Sequence, residues 1–281
     1  ELIKFLDDVT NACQNLKKAI VHTPQVEAQS LSTPQLSQEQ EFEELKKLLE
    51  DERWPDAVNP ALIVDPKSID DKTERARGII ELIIDDELKG LKFLDFGCGE
   101  GFCAHLGAEY GTNLSAGYDL VKHPQWRKFE QKDNVIITND FGLITKNGPY
   151  DVILLFDILD HVKNETPTDI LTKAKNLLAP SGKIYVRFHP STSRHATHHY
   201  HDINKAYLNL MFTEEELRKI IPQSTYSEKN IGSYFPISSY DKIIKDSGLV
   251  TVHKREIKEN PEEFFKMPLI TNRIIRNTGH K

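Results

Sequence analysis

Residues 94–101 read LDFGCGEG and residues 150–161 read YDVILLFDILDH. Each starts as an apolar run of strand length. The first breaks into glycines and the second into ionisable side chains. Similar runs occur at 91–96 (LKFLDF), 114–120 (LSAGYDL), 134–140 (NVIITND), 151–156 (DVILLF) and 183–189 (KIYVRFH), with helical segments such as TPTDILTKAKNLLA (166–179) between most of them. Near-continuous apolar strands alternating with helices predict a parallel sheet covered on both faces, an α/β doubly wound architecture. Ligands of such sheets bind at the carboxyl ends of the strands, where both breaks fall.

In DFGCGEG, Gly97, Gly99 and Gly101 lack Cβ atoms and permit a tight turn and close approach of a ligand to the backbone. The helix that follows aims its first amides at the same spot. A dinucleotide fingerprint needs G-x-G-x-x-G, and its third glycine position holds Phe102. That spacing disfavours a nicotinamide dinucleotide. Asp95 beside the loop disfavours a pyrophosphate and suits a cationic ligand with an amino group. Asp119, at the end of the second strand, is placed to accept hydrogen bonds from ribose hydroxyls. Asp140 and Phe141 follow the third strand, where a carboxylate beside an aromatic ring can hold an adenine edge.

Together these motifs, with LLAPSGKIYVRFH (177–189), resemble the class I S-adenosylmethionine-dependent methyltransferase family over roughly residues 68–189, with a tail from Ser239. The resemblance implies S-adenosyl-L-methionine as cofactor. Asp95, Gly97, Gly99 and Gly101 would frame its methionine part, Asp119 its ribose, and Asp140 and Phe141 its adenine, with Phe156 and Asp157 completing the pocket. It also implies a mostly parallel seven-stranded sheet whose last two strands are read at 249–258 and 267–277. Between strand five and the last helix lies an insertion, 189–237, which in this family covers the transferred methyl group.

The insertion holds five of the eleven histidines: His189, His195, His198, His199 and His201. They are read as a polar cap over the acceptor in preference to a metal site, since no standard zinc spacing is present. His161, His189 and His195 are candidate proton acceptors. Arg194, His198, Tyr200 and Lys205 are candidate substrate contacts. Asp157, Asp160 and His161 resemble the E-x-x-E-H with which some family members bind a divalent ion. Aspartates replace both glutamates here, and the metal-free reading stays ahead.

The rest of the chain sets bounds. Residues 1–21 carry Leu2, Phe5, Leu6, Val9, Cys13, Leu16 and Ile20 at helical spacing, residues 22–40 read as a linker, and 41–67 as a helical and extended lead-in to a domain spanning 68–281. The first helix is either a strut or a tether to another protein or to a second copy. The chain opens on Glu1, which suggests a fragment or a trimmed product. Cys13, Cys98 and Cys103 cannot all pair with one another, and that count suits a reducing cytoplasm. No apolar run is long enough to span a membrane. A formal net charge of −7 disfavours extended nucleic acid as a partner. The expected activity is methyl transfer to a polar acceptor, a small molecule or glycan first and RNA second. A non-enzymatic scaffold tethered through its N-terminal helices is the alternative.

Overall fold

The computed structural model describes residues 36–58, 68–84, 87–129, 132–161, 166–194, 196, 199–222, 235–256 and 262–278. The expected helix at 1–21, most of the linker, residues 59–67, His195 and His198 lie outside them. Two compact units divide the chain, residues 1–40 and residues 41–281.

Five parallel strands form one sheet: β1 (Lys92–Phe96), β2 (Leu114–Tyr118), β3 (Val135–Thr138), β4 (Tyr150–Phe156) and β5 (Leu178–Arg187), in the order β3-β2-β1-β4-β5. Leu94 faces Ala116 of β2 and Ile153 of β4. The order reverses at β1, so β1 and β4 are neighbours although two strands separate them in sequence. A crevice opens at their carboxyl ends, which is where both sequence breaks lie.

The helices are α1 (Gln38–Leu48), α2 (Ile69–Ile83), α3 (Phe102–Glu109), α4 (Phe141–Asn147), α5 (Pro167–Asn176), α6 (Leu208–Met211), α7 (Glu214–Ile220), α8 (Ile237–Asp246), α9 (Glu262–Phe265) and α10 (Pro268–Thr278). Capping boxes start α2 (Ser68 with Asp71), α5 (Thr166 with Asp169) and α7 (Thr213 with Glu216). Ala76 and Ile80 of α2, with Phe102 and Leu106 of α3, pack on one face of the sheet with Phe93 and Leu154. Ile144, Ile170, Leu171 and Tyr240 cover the other face with Leu94 and Ile153.

A third core lies apart from the sheet. Trp54 of the lead-in is 1% exposed, stacks on Phe212 of the insertion at 6.0 Å, and lies 5.1 Å from Phe264 of α9. Its indole N–H donates to the Ala206 carbonyl at 2.8 Å. Arg273 of α10, buried, donates to the Met211 carbonyl at 2.7 Å and to Glu41 at 2.9 Å, and it also pairs with Glu216. A guanidinium buried this deeply is tolerated because its donors meet carboxylates and a carbonyl. The lead-in, the insertion and the C-terminal helices thus share one helical core.

Two expected strands are absent among the described residues. Residues 268–278 are helix α10, with proline at its first position, and they bury Ile270 and Arg273. Residues 249–256 form no regular element, and Val250 and Val252 are each 84% exposed. Their alternation is that of a strand, but no described neighbour covers it.

Candidate functional site

The glycine loop joins β1 to α3, and its three glycines do different things. Gly97 has φ +88°, and a Cβ there would meet Ile158 Cδ1 at 2.1 Å. A Cβ on Gly101 would meet Ile137 at 2.8 Å and Trp126 at 3.3 Å. Both bare Cα atoms are therefore filled by the chain's own side chains. Gly99 differs, since a Cβ there would have nothing within 4 Å. It is the one loop glycine that opens onto free space.

The Gly99 peptide is held from two sides. Its N–H donates to Asp119 Oδ2 at 2.8 Å, and its carbonyl accepts from the Trp126 indole at 2.8 Å. Asp119 Oδ1 accepts from the Val121 amide at 3.0 Å. Trp126 is buried in a short 3₁₀ turn, Pro124–Lys128, and was not anticipated from sequence. Its signal was a tryptophan seven residues beyond the acidic end of β2, in a segment too short to belong to a strand. Leu120 and Val121, 70% and 62% exposed, add an apolar pair beside Asp119.

A cavity of about 360 Å³ lies between α2 and the loop. Lys72, Arg75, Asp95, Glu100, Phe102 and Phe156 are on its wall. Lys72 Nζ donates to both oxygens of Glu100, at 2.8 and 2.6 Å. Asp95 is only 4% exposed, and among the described residues no cationic side chain pairs with it. Burial, with the charge of Asp119 adding to it, pushes its carboxyl up to about 7, against the opposing amide of Ala104. Of the expected cofactor residues, Gly97, Gly101 and Phe156 join Asp95 on this wall; Gly99, Asp119, Asp140, Phe141 and Asp157 do not.

Asp140 caps α4, its Oδ1 accepting from Gly142 at 2.8 Å and Leu143 at 3.3 Å. Phe141 packs its ring 5.3 Å from Tyr118 and 6.2 Å from Phe96, in the core on the α4 and α5 face. Cys98, inside the loop, and Cys103, in the first turn of α3, are both free and buried, and burial pushes both thiols up.

A second constellation sits at the carboxyl ends of β4 and β5. Asp157 follows Phe156 with φ +56°, a left-handed conformation that is rare outside glycine and asparagine. Its Oδ2 pairs with the Arg187 guanidinium, which also lies 4.8 Å above the Phe156 ring. His189 Nε2 stands 3.8 Å from Asp157 Oδ1, a buried oxygen that accepts no hydrogen bond. Burial raises the Asp157 carboxyl to about 6, with Arg187 opposing that rise. Asp160, 0% exposed, accepts from the His189 amide at 3.1 Å and lies 4.0 Å from His161 Nε2. Its carboxyl is also raised by burial. Arg187 was not foreseen, because at strand five it read as one more residue of the KIYVRFH run.

Of the other sequence candidates, Arg194 donates to the Asp56 carbonyl at 2.8 Å and Lys205 to the Trp54 carbonyl at 2.9 Å. Both tie the insertion to the lead-in. Tyr200 lies 4.3 Å from the His201 ring. His199 is buried, and burial lowers its basicity. No described residue of 189–222 contributes to the cavity wall. Among the described residues no three His, Cys, Asp or Glu side chains are grouped to hold a metal ion, and no helix is long and apolar enough to cross a membrane.

Residues 68–254 match the protein family described as "Methyltransferase domain". The chain is 26% identical over 187 residues to the ubiquinone biosynthesis O-methyltransferase of Photobacterium profundum, covering 63% of this chain and 70% of that one. It is 24% identical over 195 residues to the enzyme of the same name from Aeromonas salmonicida, covering 63% and 69%. Among solved structures, magnesium protoporphyrin IX methyltransferase from Synechocystis PCC 6803 aligns at 18% identity with a TM-score of 0.45, over 77% of this chain and 93% of that one.

Proposed function

The chain belongs to the class I S-adenosylmethionine-dependent methyltransferase family, and from that premise we propose that it moves the methyl group of S-adenosylmethionine onto the hydroxyl of a polar small molecule or glycan. The observation that carries the cofactor assignment is Asp95. It is a buried carboxyl without a cationic partner among the described residues, on a cavity wall beside a glycine that opens onto free space. An amino acid end brings the ammonium that such a carboxyl lacks. Arg75, on the same wall, would meet the carboxylate of that end, beside Lys72 and its partner Glu100. Asp119 supplies ribose acceptors while it holds the Gly99 amide. Leu120 and Val121 offer apolar surface for the adenine, with Asp140 and Phe141 at the neighbouring strand end. The curated relatives carry O-methyltransferase in their names, which supports an oxygen acceptor.

The sulfonium is an activated methyl donor. The protein's part is therefore to fix the acceptor in line with the carbon–sulfur bond and to exclude water. Phe156 lines the cofactor cavity on one side and carries Arg187 over its ring, next to Asp157, His189 and His161. An acceptor placed at Phe156 reaches both regions. Calorimetry with S-adenosylhomocysteine tests the assignment. Binding should weaken by about 1.5–3 kcal/mol in Asp119→Ala, the loss of a charged hydrogen-bonding partner. No binding by the wild type, or transfer of labelled methyl groups undiminished by Asp119→Ala, would refute it, and the first result would favour a non-enzymatic scaffold.

A further inference from the structure

Helix α2, one wall of the cavity, is anchored unevenly. Its second half buries Ile80, with Ile84 just beyond it, in the core with Leu88 and Phe93, and Ile79 and Ile83 pack against the same cluster. In its first half, residues 69–77, only Ala76 is buried, yet Lys72, Arg75 and Ala76 all line the cavity. Gly78 stands between the two halves. A Cβ there would meet nothing within 4 Å, so neither packing nor a close approach requires a glycine. Alanine would favour the helix at this position, and a glycine without a packing reason leaves the backbone free to bend there. Lys72 ties the first half to the glycine loop. Its Nζ donates to both oxygens of Glu100, at 2.8 and 2.6 Å, and stands 6.0 Å from the centre of the Phe102 ring. Arg77, next to Gly78, lies 4.0 Å from Glu109 of α3. Lys72 and Glu100 are both on the cavity wall, one from α2 and one from the loop, so their ion pair joins the two walls. Their side chains are 29% and 41% exposed, and an ion pair that open to water is weak enough to break often.

Resting on the methyltransferase reading above, we infer that residues 69–77 are a lid over the amino-acid end of the cofactor, hinged at Gly78 and latched by Lys72 and Glu100. Cofactor enters and product leaves when the latch breaks and the first half of α2 swings away from the loop. Arg75 travels with the lid, whereas Asp95 stays on β1. The ammonium of the ligand therefore meets its carboxylate partner in the open state, and closure brings the guanidinium to the other end of the same amino acid. The hinge sets how fast the lid moves, and the latch sets how long it stays shut. One passage serves both directions, so a stiffer hinge slows entry and escape together and leaves affinity nearly unchanged. A broken latch speeds both.

The experiment follows labelled S-adenosylhomocysteine onto and off the full chain by rapid filtration. Gly78→Ala should slow association and dissociation by a common factor of about five, the preference of alanine over glycine in a helix interior. Its dissociation constant should stay within about twofold of the wild type, because the hinge changes the passage and not the site. Its thermal midpoint should rise, which separates a stiffened hinge from a damaged fold. Glu100→Gln keeps the shape of the side chain without its charge and should speed both rates about threefold. S-adenosylhomocysteine carries no net charge, so salt does not steer its approach. Raising the salt from about 0.05 to about 0.5 M should therefore speed exchange in the wild type and leave Glu100→Gln unmoved. The inference is overturned if Gly78→Ala leaves both rates unchanged or alters affinity in place of them. It is also overturned if Glu100→Gln fails to speed exchange, or if wild-type exchange is indifferent to salt. Failure of the wild type to bind S-adenosylhomocysteine would instead overturn the cofactor assignment.

Discussion

Replacing Asp95 with asparagine should stabilise the ligand-free protein at high pH and weaken its cofactor binding. The carboxyl is raised from 3.8 to about 7 in the fold, chiefly by burial. A carboxyl raised on folding holds its proton in the native state after the unfolded chain has lost it. Its contribution to stability is therefore fully present below pH 3.8 and is lost as pH rises to 7. At 1.36 kcal/mol per unit, the loss over that interval is about 4 kcal/mol. Asparagine stays neutral at every pH but leaves an amide to be satisfied, at a cost of about 1–3 kcal/mol. The net gain at pH 8 is then about 1–3 kcal/mol, several degrees in thermal midpoint. At pH 5 the aspartate is already protonated and the gain should vanish or reverse. The cofactor's ammonium should draw the proton off Asp95, so calorimetry in buffers of different ionisation enthalpy should read release of about 0.5 proton at pH 7 and about 0.1 at pH 8. A difference between variant and wild type that stays flat from pH 5 to 8, or binding without proton release at pH 7, would refute the argument.

The loop glycines should separate by function. Gly97→Ala, which adds a clash with Ile158 to a strained positive φ, should lower stability more than Gly99→Ala, which carries the strain of φ +50° but meets no neighbour and should also lower S-adenosylhomocysteine affinity; the reverse ranking in thermal melts and calorimetry would sink this reading. Trp126→Phe keeps the packing but loses the hydrogen bond to the Gly99 carbonyl, and should weaken binding by about 1 kcal/mol. Trp54→Ala should cost about 3–5 kcal/mol of the helical core in urea unfolding. If it instead alters only cofactor affinity, the separation of the helical core from the cofactor site fails.

The sheet was legible because each buried strand is a short, nearly unbroken apolar run. The C-terminal strands misled for a physical reason. Val250 and Val252 alternate as a half-buried strand would, but alternation only becomes a strand when a neighbour supplies hydrogen bonds. In PLITNRIIRN the apolar positions also fit a helix, and the proline at its start fits a first turn better than a strand interior. Periodicity could not reveal that Arg273 would be buried, since its carboxylate partners, Glu41 and Glu216, lie far away in sequence. The same limit hid Trp126 and Arg187, which matter through contacts made across the sheet. Arg194 and Lys205 read in sequence as candidate contacts for an anionic acceptor, and the structure has both donating to backbone carbonyls of the lead-in, with Asp56 Oδ1 3.9 Å from Lys205.

Gly97 and Asp157 explain one another. β1 and β4 are adjacent in the sheet, so the chain leaving β4 must pass the loop leaving β1. The left-handed turn at Asp157 sends Ile158 onto the bare Cα of Gly97, and only a glycine leaves room for it. That packing fixes where the Asp157 carboxylate stands relative to Arg187 and the Phe156 ring. A motif that reads in sequence as a cradle for the cofactor is, at its first glycine, a seat for the residue that follows Asp157. Gly99 is left to face open space, and Gly101 is closed by Trp126 and Ile137. The cofactor loop and the turn that carries Asp157 are therefore set by one contact, so a substitution at Gly97 should disturb the end of β4 as well as the loop.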